Sequence, residues 1–67
     1  MNEELLRRTT YINAMTITAM AEIQGMMAEN EERKRQGLAL AYGEKEFNDV
    51  PIKWGLTHNA VLEYLTF

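Results

Sequence analysis

The stretch from Glu3 to Gln36 takes up half of a 67-residue chain, holds no proline and has one internal glycine, Gly25. Its many strong helix formers fit one uninterrupted helix. Asn2 is a capping residue at its start; Glu3 and Glu4 sit where the helix dipole favours negative charge, and Arg33, Lys34 and Arg35 where it favours positive charge. Gly37 supplies the stop. At about 1.5 Å per residue such a helix spans roughly 51 Å. A compact globule of this chain length has a radius of gyration near 11 Å, so the helix overshoots any globule the remaining residues can build around it.

At about 100° per residue, Leu5, Ile12, Met15, Ala19, Ile23, Met26 and Met27 share a broad apolar stripe with Met20 at its edge, and this is the expected core face. Roughly opposite lies a row of small residues, Ala14, Thr18, Ala21, Gly25 and Ala28, spaced alternately four and three apart. Small side chains at that spacing let a second helix approach closely and gain dispersion contacts. Alanine is also the best helix former, so the same row is compatible with an indifferent solvated face. The charge pattern weighs against that. Residues 9 to 21 carry no charged side chain and Glu22 is the only charge from 9 to 28, whereas Glu29 to Gln36 has the acids and bases of a solvated face. Met15, Met20, Met26 and Met27 fall in the same region; methionine fills ordinary cores and also recurs at adaptable binding surfaces.

A chain this short forms one domain, 1–67, and a lone core of that size rarely supplies more than about 3–5 kcal/mol. With no cysteine, disulfides are absent and a structural zinc site lacks its best ligand, which leaves oligomerisation or docking on a larger partner as the common remedy. A net charge of −3 argues against binding phosphate backbones by electrostatics, so no nucleic-acid partner is expected. Asn2, Glu3 and Glu4 lack the basic lead-in of a signal peptide, and the uncharged run of 13 residues is short of a membrane span. The expectation is an acidic, soluble protein, intracellular (cytoplasmic) or within an assembled particle, not secreted and with no membrane partner.

After Gly37, Leu38 to Tyr42 alternates large and small residues and reads as an apolar connector whose Leu38, Leu40 and Tyr42 lie back against the long helix. Glu44 to about Asp49 is a short helix with Phe47 inward, ended by Pro51, whose ring excludes the helical hydrogen bond. Ile52 to Gly55 is a turn, and Thr57 caps a last helix over about 58–66 with Leu56, Val61, Leu62 and Leu65 on its buried side. Trp54, Tyr64 and Phe67 are left with little nearby core to receive them.

Short helix, turn and second helix make the outline of a helix-turn-helix DNA-binding unit. Thr57, His58 and Asn59 reach far enough for bases, but no basic residue follows Lys53 and Glu63 would face the phosphates, which argues against that function. The basic triad Arg33 to Arg35 is surrounded by Glu29, Glu31 and Glu32, with i,i+4 pairs Glu29–Arg33 and Glu31–Arg35, and reads as a solvated helix end. His58 is the only histidine, there is no serine, and the carboxylates Glu44, Glu46, Asp49 and Glu63 show no ligand or acid–base spacing. No enzyme activity, cofactor, metal or small-molecule substrate is expected.

The sequence therefore points to an all-α protein, one long N-terminal helix (about 3–36) with two short C-terminal helices (about 44–49 and 58–66) folded back on it. The expected function is non-enzymatic assembly by helix packing, to copies of itself or to a larger protein in a multi-subunit particle, a virion being one example. The small row Ala14, Thr18, Ala21, Gly25 and Ala28 is one expected protein interface, and Trp54, Tyr64 and Phe67 are expected anchors of another, since aromatics carry much interface energy. The alternative is a small inhibitor or regulator that blocks a host or defence protein by covering its surface.

Overall fold

In the computed structural model, which describes residues 2–66, Glu3–Arg35 forms a single 33-residue helix, α1. Asn2 caps it, its Oδ1 accepting the Leu5 N–H at 2.7 Å. The far end closes on Gly37, at φ +74, a left-handed conformation that costs glycine little. There the Leu38 N–H donates to the Arg33 carbonyl at 2.8 Å and the Gly37 N–H to Lys34 at 3.1 Å, satisfying carbonyls that the helix end leaves without partners.

The chain then doubles back as an extended connector and two helices, α2 (Glu44–Lys53) and α3 (His58–Leu65), both packed on α1. No strand occurs among the described residues. The molecule measures 53 × 17 × 11 Å, with a radius of gyration of 15.7 Å. That is well above the roughly 11 Å of a compact chain this long. The long helix governs the shape, as its length requires.

The core is small. Ala19, Met26 and Val50 are buried, and Ile23, Tyr42, Phe47, Trp54 and Leu56 pack partly buried around them. On α1 the covered side runs from Leu5 and Arg8 through Ile12, Met15, Ala19, Glu22, Ile23 and Met26 to Asn30 and Arg33, with Glu4 and Thr9 also partly covered. The stripe is narrower than the sequence suggests: Met27 is 55 % exposed and Met20 54 %. A single layer of short helices covers only one side of a cylinder.

Helix α2 runs through Pro51 and ends at Lys53, later than the proline alone implies. Pro51 leaves one backbone bond unmade, at a cost of about 3 kcal/mol in a helix interior. Val50 is 2 % exposed, with Phe47 and Trp54 on the same side, and a buried apolar side chain gains about 1.5–3 kcal/mol. Their combined burial outweighs the proline penalty, and the ladder resumes with the Trp54 N–H donating to Val50 at 3.2 Å. The actual stop is Gly55 at φ +68, where the Leu56 N–H reaches the Pro51 carbonyl at 2.8 Å. Thr57 caps α3 by accepting the Ala60 N–H.

Candidate interaction surface

Arg8, Glu22 and Asn30 of α1, with a longer contact from Arg33 to the Ala39 carbonyl at 3.5 Å, fasten the rest of the chain to one side of the helix. Near the N-terminus, Arg8 donates to the Tyr64 carbonyl at 2.6 Å, near the C-terminal end of α3, where cations suit the helix dipole. Glu4 holds Arg8 at 2.7 Å, and that bond keeps the Glu4 carboxyl below its usual pKa. The Arg8 guanidinium also lies 5.2 Å from the centre of the Tyr64 ring, and Tyr11 meets that ring edge-on at 5.6 Å.

In the middle, Glu22 accepts from Lys53 Nζ at 2.5 Å and from the Trp54 indole N–H at 2.9 Å. The Lys53 bond, then the Trp54 bond, lower the Glu22 pKa. Toward the far end, Asn30 acts as a surrogate strand. Its Oδ1 accepts from the Ala41 and Tyr42 N–H groups, both at 3.0 Å, and its Nδ2 donates to the Tyr42 carbonyl at 2.9 Å. Only Tyr42 of the connector is thereby drawn in; Leu38 and Leu40, expected against the helix, are 52 % and 57 % exposed.

The side of α1 turned away from these contacts is uncovered. Ala14, Thr18, Ala21, Gly25 and Ala28 are all exposed. A Cβ built on Gly25 meets nothing within 4 Å. Beside that row stand Leu6, Ile17, Met20 and Met27, with Ile17 68 % exposed. The hydroxyls of Thr10 and Thr18 fold back onto the Leu6 and Ala14 carbonyls at 2.8 and 3.0 Å, so their polar atoms are engaged within the helix. Glu22, the only charge between residues 9 and 28, is committed to Lys53 and Trp54 on the covered side. The outward face is therefore uncharged over about 30 Å of helix.

The aromatic anchors have different surroundings. Trp54 is half-buried in the core cluster and spends its N–H on Glu22. Tyr64 keeps 38 % exposure beneath Arg8 and Tyr11, and Phe67 lies outside the described residues. On α3, Leu62, expected on the buried side, is 52 % exposed, and Ala60 turns inward with Val61 and Leu65.

No family model, curated protein or solved structure matches the chain.

The carboxylates that come closest to one another are already engaged. A shallow groove between α1 and α2 brings Glu22, Glu46 and Asp49 together. Yet Glu46 accepts the Gly43 N–H at 2.8 Å, which lowers its pKa, and Asp49 holds Lys45 at 2.9 Å, which raises that lysine's. Among the described residues no cluster of acids and histidine is placed to hold a metal ion, and no helix is long and apolar enough to cross a membrane. Arg33 is held by Glu29 at 3.0 Å and Arg35 by Glu32.

Sequence reasoning located the small row but passed over Ile17, Asn30 and the partners of Glu22. A signal existed for each. Ile17 falls off the core stripe in helical projection, Asn30 is a poor helix former in a helix interior, and a lone acid in an uncharged run needs a partner.

Proposed function

We propose that this protein is a non-enzymatic assembly protein that works by helix packing, to copies of itself or to a larger protein in a multi-subunit particle such as a virion. The observation that carries this reading is Ile17, 68 % exposed in the middle of an uncharged helical face that α2 and α3 leave bare. Isolated exposed apolar residues need no explanation, whereas a row of them along a surface without charge marks a place where another apolar surface sits. The small residues beside Ile17 allow that surface to be another helix at close range.

Light scattering across a concentration series tests it. Ile17→Lys puts a charge in the centre of the face at a position that α2 and α3 leave mostly exposed. The expected result is unchanged helicity with loss of association. A wild-type chain that stays at one-copy mass at high concentration and joins no larger assembly overturns the reading.

A further inference from the structure

Resting on that reading, we propose that the occupant of the outward face of α1 is a second copy of this chain, lying antiparallel in a two-fold symmetric dimer. The charges that bracket the uncharged segment set the orientation. Arg7 stands at its N-terminal end and Glu32 at its C-terminal end, on the same side of the helix as the small row, with Glu3 and Arg35 beyond them. Rotating a second copy about a two-fold axis between residues 19 and 20 brings Arg7 of each chain beside Glu32 of the other, and Glu3 near Arg35. The same rotation sets Ala14 opposite Gly25 and Thr18 opposite Ala21, small against small, and drops Ile17 beside Met20 and Ala21.

A parallel pair in register does the opposite. It stacks Arg7 on Arg7 and Glu32 on Glu32, and it sets the two helix dipoles side by side pointing the same way, which is unfavourable. The present partners of these ends do not oppose the exchange. Arg7 with Glu4, and Glu32 with Arg35 and Gln36, are exposed local contacts at the ends of the helix, with side-chain exposures of 70 % and 48 % for Arg7 and Glu32. Such pairs are weak and easily shared. A two-fold interface is also self-complementary, so one stripe that reads alike from both ends suffices.

The area fits as well. The chain exposes 5246 Å². A compact protein of 7.8 kDa exposes about 4,400 Å². The excess of roughly 850 Å² matches the approximately 800 Å² each partner buries in a standard interface.

Charge reversal and cross-linking test the arrangement on the full chain. Arg7→Glu is expected to raise the dimer dissociation constant about tenfold, since two symmetry-related attractions become repulsions. Glu32→Arg acts likewise, and the double variant Arg7→Glu/Glu32→Arg returns to within about twofold of wild type. Because the chain has no cysteine, Ala14→Cys and Gly25→Cys can be mixed and oxidised. Mixed 14–25 disulfides are expected in large excess over 14–14 and 25–25. Circular dichroism and Trp54 emission confirm that each variant is folded. A self-assembly that forms 14–14 disulfides, ignores Arg7→Glu, or holds more than two copies overturns the antiparallel proposal but leaves helix-packing assembly standing. A chain of one-copy mass that is found docked on a different protein does the same, whereas a chain that associates with nothing overturns both.

Discussion

The carboxamide of Asn30 pairs with the backbone of Tyr42 from both ends, accepting its N–H at 3.0 Å and donating to its carbonyl at 2.9 Å. Twelve residues and a helix terminus separate the two, so this pair sets where the chain turns back. It also positions the Tyr42 side chain against Met26 and Val50.

Replacing Asn30 tests how much that clamp holds. Asn30→Ala leaves the Ala41 and Tyr42 amides without their acceptor and is expected to cost about 1–3 kcal/mol. For a chain of this size each kcal/mol lowers Tm by about 4–8 °C. Asn30→Asp keeps the acceptor for both amides but turns the donor toward the Tyr42 carbonyl into a repelling carboxylate oxygen, so it separates the two halves of the clamp. Hydrogen exchange at Ala41 and Tyr42 reads the difference: faster in the alanine variant, still protected in the aspartate one. Equal exchange in both would remove the clamp from the account.

Acid should release Trp54 through Glu22. The folded-state pKa of Glu22 is lowered, chiefly by Lys53 and then by Trp54, from an ordinary value of 4.5. A carboxyl of that kind contributes stability that is fully present above 4.5 and is lost as pH falls through the lower folded value. Glu4 and Glu46 shift in the same direction, so global stability also falls in acid. Trp54 fluorescence isolates Glu22: emission is expected to change below pH 4.5 in the wild type and to lose that titration in Glu22→Gln. An identical acid transition in the variant refutes the link.

Docking of α3 depends on Arg8. Arg8→Met keeps an apolar stem over the Tyr64 ring and loses the bonds to the Tyr64 carbonyl and to Glu4. The expected cost is about 1 kcal/mol, concentrated in α3. Amide exchange in residues 61–66 should speed up while that around Ala19 and Met26 does not. A uniform change along the chain would mean that α3 and the core unfold as one unit.

Glycine substitutions separate backbone need from open space. Gly55→Ala forces a side chain into φ +68 and is expected to destabilise by about 1–2 kcal/mol. Gly25→Ala adds a methyl to an ordinary helical turn with nothing within 4 Å, and is expected to stabilise the single chain by about 0.5–1 kcal/mol. Urea unfolding at low protein concentration measures both. A destabilising Gly25→Ala under those conditions would show that this face is covered within one chain.

Much of the fold is written locally. Asn2, Gly37, Thr57 and the run of helix formers act within a few residues, so the ends of α1 and the start of α3 follow from sequence spacing. The absence of charge from residue 9 to 21 is likewise a property of the sequence, but it holds all round the helix and does not say which side stays outward. The end of α2 was not legible in this way, because the local signal of Pro51 is overruled by the burial of Val50 and Trp54, which depends on how α2 lies on α1. The same holds for Glu22 and Trp54, joined across 32 residues, and for Leu38 and Leu40, left bare once Asn30 fixes the connector. Caps and propensities act over one turn of chain, whereas which apolar residues escape water is decided only when the short helices choose a side of the long one.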